Sequence, residues 1–265
     1  MAKIKHNLAF TGTLGMVSAF TMRGVEGIVL RRKGGPSKQQ IKSSPRFERT
    51  RENYIEFSGC PKAASNIKNC LMALKQVADH NLSGSFTRIA MTARLADTVS
   101  DRGKRNIYLS RTRHLLEGYE LNRKKLFNSI VRLSPVYTLS RNDGKARIII
   151  PRMIPRIHLL LPWNEPVFRF IITLGVLPDM IFTENGYKPS NGIVVNQNVS
   201  LTTEWFPALS AYEGQTLSLD LPEFVSLHEN CSLVLAIGIE AGTIGRSNIL
   251  EPVKYTGCGK IGMVV

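Results

Sequence analysis

Three groups of cationic side chains are the residues best suited to chemistry in this sequence. Arg31, Arg32, Lys33, Lys38, Lys42, Arg46 and Arg49 fall within nineteen positions. Arg102, Lys104 and Arg105 form a second group, and Arg123, Lys124 and Lys125 a third. A guanidinium fork can clamp two phosphate oxygens at once, and an ammonium supplies a point charge. The chemistry these groups allow is polyanion binding. Phe47 and Tyr54 accompany the first group. They can stack on bases, as aromatic side chains do in single-strand binders, or anchor their helix to a core, which is the expected role. No known nucleic-acid motif is present, so base-specific readout is not predicted.

Catalytic patterns are missing. The chain has no G-x-x-x-x-G-K-[ST], H-E-x-x-H, G-x-S-x-G or G-x-G-x-x-G. Gly257-Cys258-Gly259-Lys260-Ile261-Gly262 contains a Gly-Lys step without the phosphate-loop spacing, and reads as a flexible C-terminal strand or bulge. His6, His80, His114, His158 and His228 are scattered. His228 and Cys231 are close enough to suggest a nucleophilic pair, but no third orienting group is visible. Glu48 with Glu52, and Glu117 with Glu120, sit among Arg and Lys and read as solvated ion pairs. The expectation is a protein that is not an enzyme and carries no metal or cofactor.

These cations need elements to hold them. Val17 to Met22 and Ile28 to Leu30 flank a Gly-bounded loop and predict a hairpin that ends in Arg31-Arg32-Lys33. Ser44-Pro45 is a helix start, with a short helix ending at Ser58-Gly59. A second helix is predicted from about Pro61 to His80, on the spacing of Ala64, Ile67, Leu71, Leu74 and Val77, with Asn81 to Gly84 stopping it. A third spans Phe86 to Thr98, and residues 101 to 125 are polar and basic. After Val131 the period becomes two. Tyr137 to Arg141 and Lys145 to Ile150 flank the Asn142-Asp143-Gly144 turn, and strands follow around Phe168–Leu174, Val199–Trp205, Leu217–Leu221 and Leu233–Ile239. Short strands with one apolar face, at this spacing, predict an antiparallel sandwich. The fold class is therefore α+β: a β-hairpin and basic helical region over residues 1–130, then an antiparallel, immunoglobulin-like β-sandwich over 131–265.

Charge divides along the same line. The first 150 residues hold 28 Lys and Arg against 10 Asp and Glu, a formal +18, while the remaining 115 stand at −3 within a whole-chain +15. Such asymmetry marks differently employed halves. A unit this positive repels itself unless an anionic partner relieves it. Nucleic acid, DNA or RNA, is the commonest such partner, and an acidic protein surface or membrane surface would serve electrostatically as well.

Cys60, Cys70, Cys231 and Cys258 show neither C-x-x-C nor zinc spacing, so free thiols in a reducing cytoplasm are expected. Lys3 and Lys5 before the run Leu8 to Phe20, with Val17-Ser18-Ala19 resembling a small-residue cleavage site near its end, imitate a secretory signal; Thr11-Gly12-Thr13 and Gly15 break the run. No unbroken apolar stretch reaches transmembrane length.

Several segments together resemble a known family. They are Gly12-Thr13-Leu14-Gly15 before the hairpin, Gly34-Gly35-Pro36-Ser37-Lys38-Gln39-Gln40, Leu121-Asn122, Ile148-Ile149-Ile150-Pro151, Pro162 ahead of Phe168-Arg169-Phe170, and a strand near Ala236 followed by Ser247. The chain is similar over most of its length to an uncharacterised family of Bacteroidota-type bacteria with a basic N-terminal region and a C-terminal β-sandwich. That resemblance implies an architecture and no catalytic residues. The expected function is structural: a self-associating assembly subunit, of filament, phage-like or capsid-like kind, whose basic half contacts a polyanion or acidic partner. The competing expectation is a monomeric, sequence-nonspecific nucleic-acid-binding protein.

Overall fold

The computed structural model describes residues 2–3, 10–22, 24–32, 34–190, 197–222, 229–245, 248–254 and 256–265. The chain forms two compact units, residues 1–51 and 52–265.

The leading unit is a four-stranded antiparallel sheet followed by short helical turns. Its strands are β1 (Ala2–Lys3), β2 (Gly12–Leu14), β3 (Val17–Thr21) and β4 (Ile28–Arg32), in the order β1-β4-β3-β2. The expected hairpin is β3–β4, with Ser18 opposite Arg31 and Val17 opposite Arg32. Among the described residues of this unit, Ala19 and Val29 are the buried apolar side chains, and Leu14 and Met16 are well exposed. Helix α1 (Lys38–Ser43) starts at a capping box in which Ser37 and Gln40 satisfy each other's amides. Arg51 Nη1 donates to the carbonyls of Ile41 and Ser44 at 2.9 and 2.8 Å, closing the far end of α1.

After a 3₁₀ turn at Pro45–Phe47, helix α2 runs unbroken from Glu48 to Cys70. The expected stop at Ser58-Gly59 does not occur. Gly59 is there for contact: a Cβ on it would lie 2.6 Å from the Tyr187 ring. Pro61 removes one amide inside the helix, but Phe57, whose carbonyl loses its partner, is exposed to water. A 3₁₀ segment, Met72–Val77, continues the apolar stripe, and α3 spans Leu82–Ala93. Asn81 is the N-cap of α3, accepting from the Ser83 amide, rather than the end of the helix before it.

The strands that follow are mostly antiparallel pairs in the C-terminal part. β5 (Val136–Ser140) and β6 (Lys145–Ile150) form the predicted hairpin, preceded by the short α4 (Phe127–Ile130). β7 (Val167–Pro178) is followed by the hairpin β8 (Met180–Thr183) and β9 (Gly186–Pro189). β10 (Asn198–Thr202), β11 (Phe206–Pro207), β12 (Gln215–Asp220), β13 (Cys231–Ile244), β14 (Leu250–Pro252) and β15 (Cys258–Val264) complete the order. β7 and β13 lie at the centre of a six-stranded sheet, with β10 and β11 on β7 and β14 and β15 on β13. A three-stranded sheet has the order β12-β6-β5.

Two cores explain the layering. Phe168, Phe170, Ile172 and Leu174 of β7 and Leu233, Leu235, Ile237 and Ile239 of β13 pack with Ala146, Ile148, Ile150 and Leu219 of the smaller sheet. The opposite face of the same strands gives Ile171, Leu177, Val234 and Ala236 to the helical side chains Ile67, Leu71, Leu74 and Phe86. β7 and β13 are thus buried on both faces, not on the single apolar face that alternation suggests. Full burial of each large apolar side chain contributes about 1.5–3 kcal/mol, so within the second unit the helical side chains and both sheets are held together by these two cores. Residues 52–130 therefore share a core with the strands after 131.

Candidate polyanion-binding surface

The leading unit concentrates the charge. It holds eleven Lys and Arg against two Glu, a formal +9 in 51 residues. Arg31, Arg32, Lys38, Lys42, Arg46 and Arg49 are all exposed, while Lys33 lies outside the described residues. Strand alternation sends Arg31 to the face of Ser18 and Phe20 and Arg32 to the face of Val17. Ser18, Phe20 and Arg31 on one face, with Arg32 and Gly34 at the end of the strand, border a shallow hollow of about 330 Å³. Lys38 and Lys42, four residues apart, share one side of α1.

The second cationic group is partly engaged by carboxylates. Arg102 Nε lies 3.5 Å from Glu52, and its Nη2 donates to Asn53 Oδ1 at 3.2 Å. Arg105 Nε is 4.0 Å from Glu56 Oε1, and Lys104 is exposed. Glu56 is deeply buried and takes its closest bonds from Arg94 Nη1 at 2.5 Å and the Gly103 amide at 2.7 Å. Arg102 and Arg105 therefore help to hold the loop on α2 as well as facing solvent.

The third group sits on a shaped surface. Asp79 Oδ2 accepts from the amides of Arg123 and Lys124, and Asn122 Oδ1 accepts from those of Lys124 and Lys125. These bonds fix the backbone of a cationic turn. Arg123 Nη2 reaches Ser85 Oγ at 2.8 Å, and Lys125 Nζ lies 5.1 Å from the centre of the Trp163 ring. A hollow of about 310 Å³ is bordered by Asp79, Asn122, Lys124 and Lys125. Across Ala78, which borders both, lies a hollow of about 480 Å³ with Lys68, Lys75 and His80 on its wall. The sequence reading missed these three. Lys75 lies in the 3₁₀ segment beyond the end of α2, so its seven-residue spacing from Lys68 gave no local signal of a shared site.

Burial pushes the Asp79 carboxyl up, but bonds from His80 and the two amides outweigh it and hold it below the usual carboxylate range. Asp79 is therefore an ionised acceptor at neutral pH, and His80 Nδ1, 2.5 Å away, is its donor.

Elsewhere, chemistry is muted. All four cysteines are free and buried. Burial raises the Cys60 thiol to about 11 and the Cys70 thiol to about 12, leaving neither as a thiolate at neutral pH. Burial also raises Cys231, which touches Ser190 Oγ at 3.8 Å, and the expected partner His228 lies outside the described residues. Tyr54 is 59% exposed, so it does not anchor α2 as expected. Glu120 is not a solvated surface charge either. It is half-buried, accepts from the Phe127 amide at 2.8 Å, and is raised by burial against the pull of Lys260. Gly259-Lys260 lies within β15, where Lys260 Nζ donates to Asn128 Oδ1. Among the described residues, no group of three or more His, Cys, Asp or Glu is placed to hold a metal ion, and no helix is long and apolar enough to cross a membrane.

No protein-family model, curated protein or solved structure matches this chain.

Proposed function

We propose that the chain is a non-enzymatic assembly protein whose body packs on neighbouring copies and whose leading unit contacts a polyanion or acidic partner. One observation carries this reading: a formal +9 rides on a unit in which, among the described residues, Ala19 and Val29 are the buried apolar side chains and Leu14 and Met16 are exposed. So small a core offsets little of the entropy of ordering the strands. An anionic partner would relieve the charge and cover the sheet together. The sheet's outer strands β1 and β2 offer edges for strand addition. In this reading the two packed sheets of the body are an immunoglobulin-like sandwich, the resemblance to the Bacteroidota-type family holds, and the four unpaired thiols fit a reducing cytoplasm.

Light scattering on the full chain, with and without added DNA or RNA, tests the assembly. Particles of several copies are expected, at least once the polyanion is present. A 29.5 kDa species under every condition would overturn self-assembly.

A second reading is a monomeric, sequence-nonspecific nucleic-acid binder. Exposed Tyr54 favours it, because a free aromatic face can stack on a base. It predicts one chain per binding site, and a Tyr54→Ala variant weaker on single strands than on duplex.

A further inference from the structure

We propose that the hollow between the end of α2 and the start of α3 is a phosphate-binding site, with Lys68 and Lys75 as its charged donors. This goes beyond the assembly reading, because it needs none of the leading unit's cations. The hollow encloses about 480 Å³ and is walled by Lys68, Lys75, His80, Ser65, Asn69 and Ser83 among its polar residues, with no carboxylate on the wall. A concave site with two ammonium groups and hydroxyls fits a compact dianion better than a neutral or cationic ligand.

The donors are already positioned. Lys68 Nζ is held 2.8 Å from Ser83 Oγ, which leaves its other protons for a ligand and places the hydroxyl beside them. Lys75 is exposed and has no side-chain partner among the described residues. His80 Nδ1 is bonded to Asp79, and its Nε2 is shielded from water with no hydrogen-bond partner among the described residues. Asp79 borders the neighbouring hollow instead, where it accepts from His80 and from the Arg123 and Lys124 amides. Lys124 and Lys125 continue the positive surface beyond Ala78, so a ligand with more than one phosphate could follow it.

The phosphate could belong to a small phosphorylated molecule or to a polynucleotide backbone. Calorimetric titration of the full chain with inorganic pyrophosphate tests the site, and competition with a single-stranded oligothymidylate separates the two sources. Saturable pyrophosphate binding is expected, weakened about tenfold by Lys68→Gln and again by Lys75→Gln, since each removes one charge-assisted bond. Lys75→Arg should restore most of the affinity. Lys145→Gln with Arg152→Gln removes as much charge from other exposed positions and should change nothing. Should Lys68→Gln fail to fold, exposed Lys75→Gln decides alone. Displacement by the oligonucleotide assigns the site to a backbone, and its absence assigns it to a small ligand. No saturable binding of either probe, or equal binding by the wild type and the Lys75→Gln variant, overturns the site. That failure would leave the assembly reading standing, because light scattering reads copy number and not this hollow.

Discussion

Glu56 has 1% of its surface exposed and faces Arg94, Arg105 and the Gly103 amide. A carboxylate in such a place stabilises only while its partners remain. Glu56→Ala would strand the Arg94 guanidinium and the Gly103 amide, and should cost about 3–5 kcal/mol in a denaturant titration. A loss below about 1 kcal/mol would mean that solvent reaches the pair and that it behaves as a surface bridge. Asp97 makes the pH-dependent case. Burial pushes its carboxyl up, but amide bonds from Ser100, Asn106 and Val99 outweigh that and hold it at about 2. In the window between the ordinary aspartate value and about 2, the unfolded chain binds the proton more readily than the folded one. The contribution of Asp97 is therefore complete above that window and is lost as pH falls through it. Wild type should lose stability more steeply than Asp97→Asn between about pH 4 and pH 2. Parallel acid-unfolding curves for the two proteins would refute this. Neither residue could be singled out in the sequence, because each depends on partners from distant parts of the chain or on a turn closing around it.

At the scale of elements, the contact between helical layer and sheet is set by small residues. A Cβ at Gly175 of β7 would lie 2.9 Å from Cys70 Cβ and 3.0 Å from its Cα, so helix and strand backbones would have to separate. Gly175→Ala should cost about 1–3 kcal/mol, the usual penalty for overpacking a core. Gly84 in α3 gives the opposite sign. A Cβ there meets nothing within 4 Å, and Gly84→Ala should stabilise by about 0.4–1 kcal/mol. Thermal melts of the two variants should move in opposite directions. The same contact explains what the sequence could and could not disclose. Strands β5, β6, β7, β12 and β13 were legible because period two and the Asn142-Asp143-Gly144 turn are local signals. The alternation of Phe168, Phe170 and Ile172 with Ile171 and Thr173 was legible too, but its apolar second face needed a covering layer that only tertiary packing supplies. Gly59 and Pro61 looked like punctuation, yet Gly59 is fixed by Tyr187, which lies 128 residues away in the chain. α1 carries a local signal in Ser37-x-x-Gln40, a capping box over only six residues. Of the candidate surface, the cationic groups were legible by composition. Lys68, Lys75 and His80 were obscured because their neighbours Ile67, Leu71 and Leu74 marked that helix as core.

For the whole molecule, the decisive quantity is how the charge of the leading unit is presented. Its +9 outweighs the +6 spread over the other 214 residues, so any polyanion should feel the leading unit first. Arg31 and Arg32 are adjacent in sequence but face opposite ways from β4. A stiff duplex can lie against one face of a sheet, whereas a flexible single strand can pass around its edge and meet both. Fluorescence titrations against labelled duplex at rising salt should give a straight log–log plot whose slope counts the phosphates neutralised. One of the two substitutions Arg31→Gln and Arg32→Gln should flatten that slope by about 1, and the other should leave it unchanged. On a single strand both should flatten it. Equal effects of the two variants on duplex would show that the sheet does not meet the polymer face-on. If neither variant changed the slope on either polymer, the contact would have to be assigned to α1 through Lys38 and Lys42, or to the cations of the second unit.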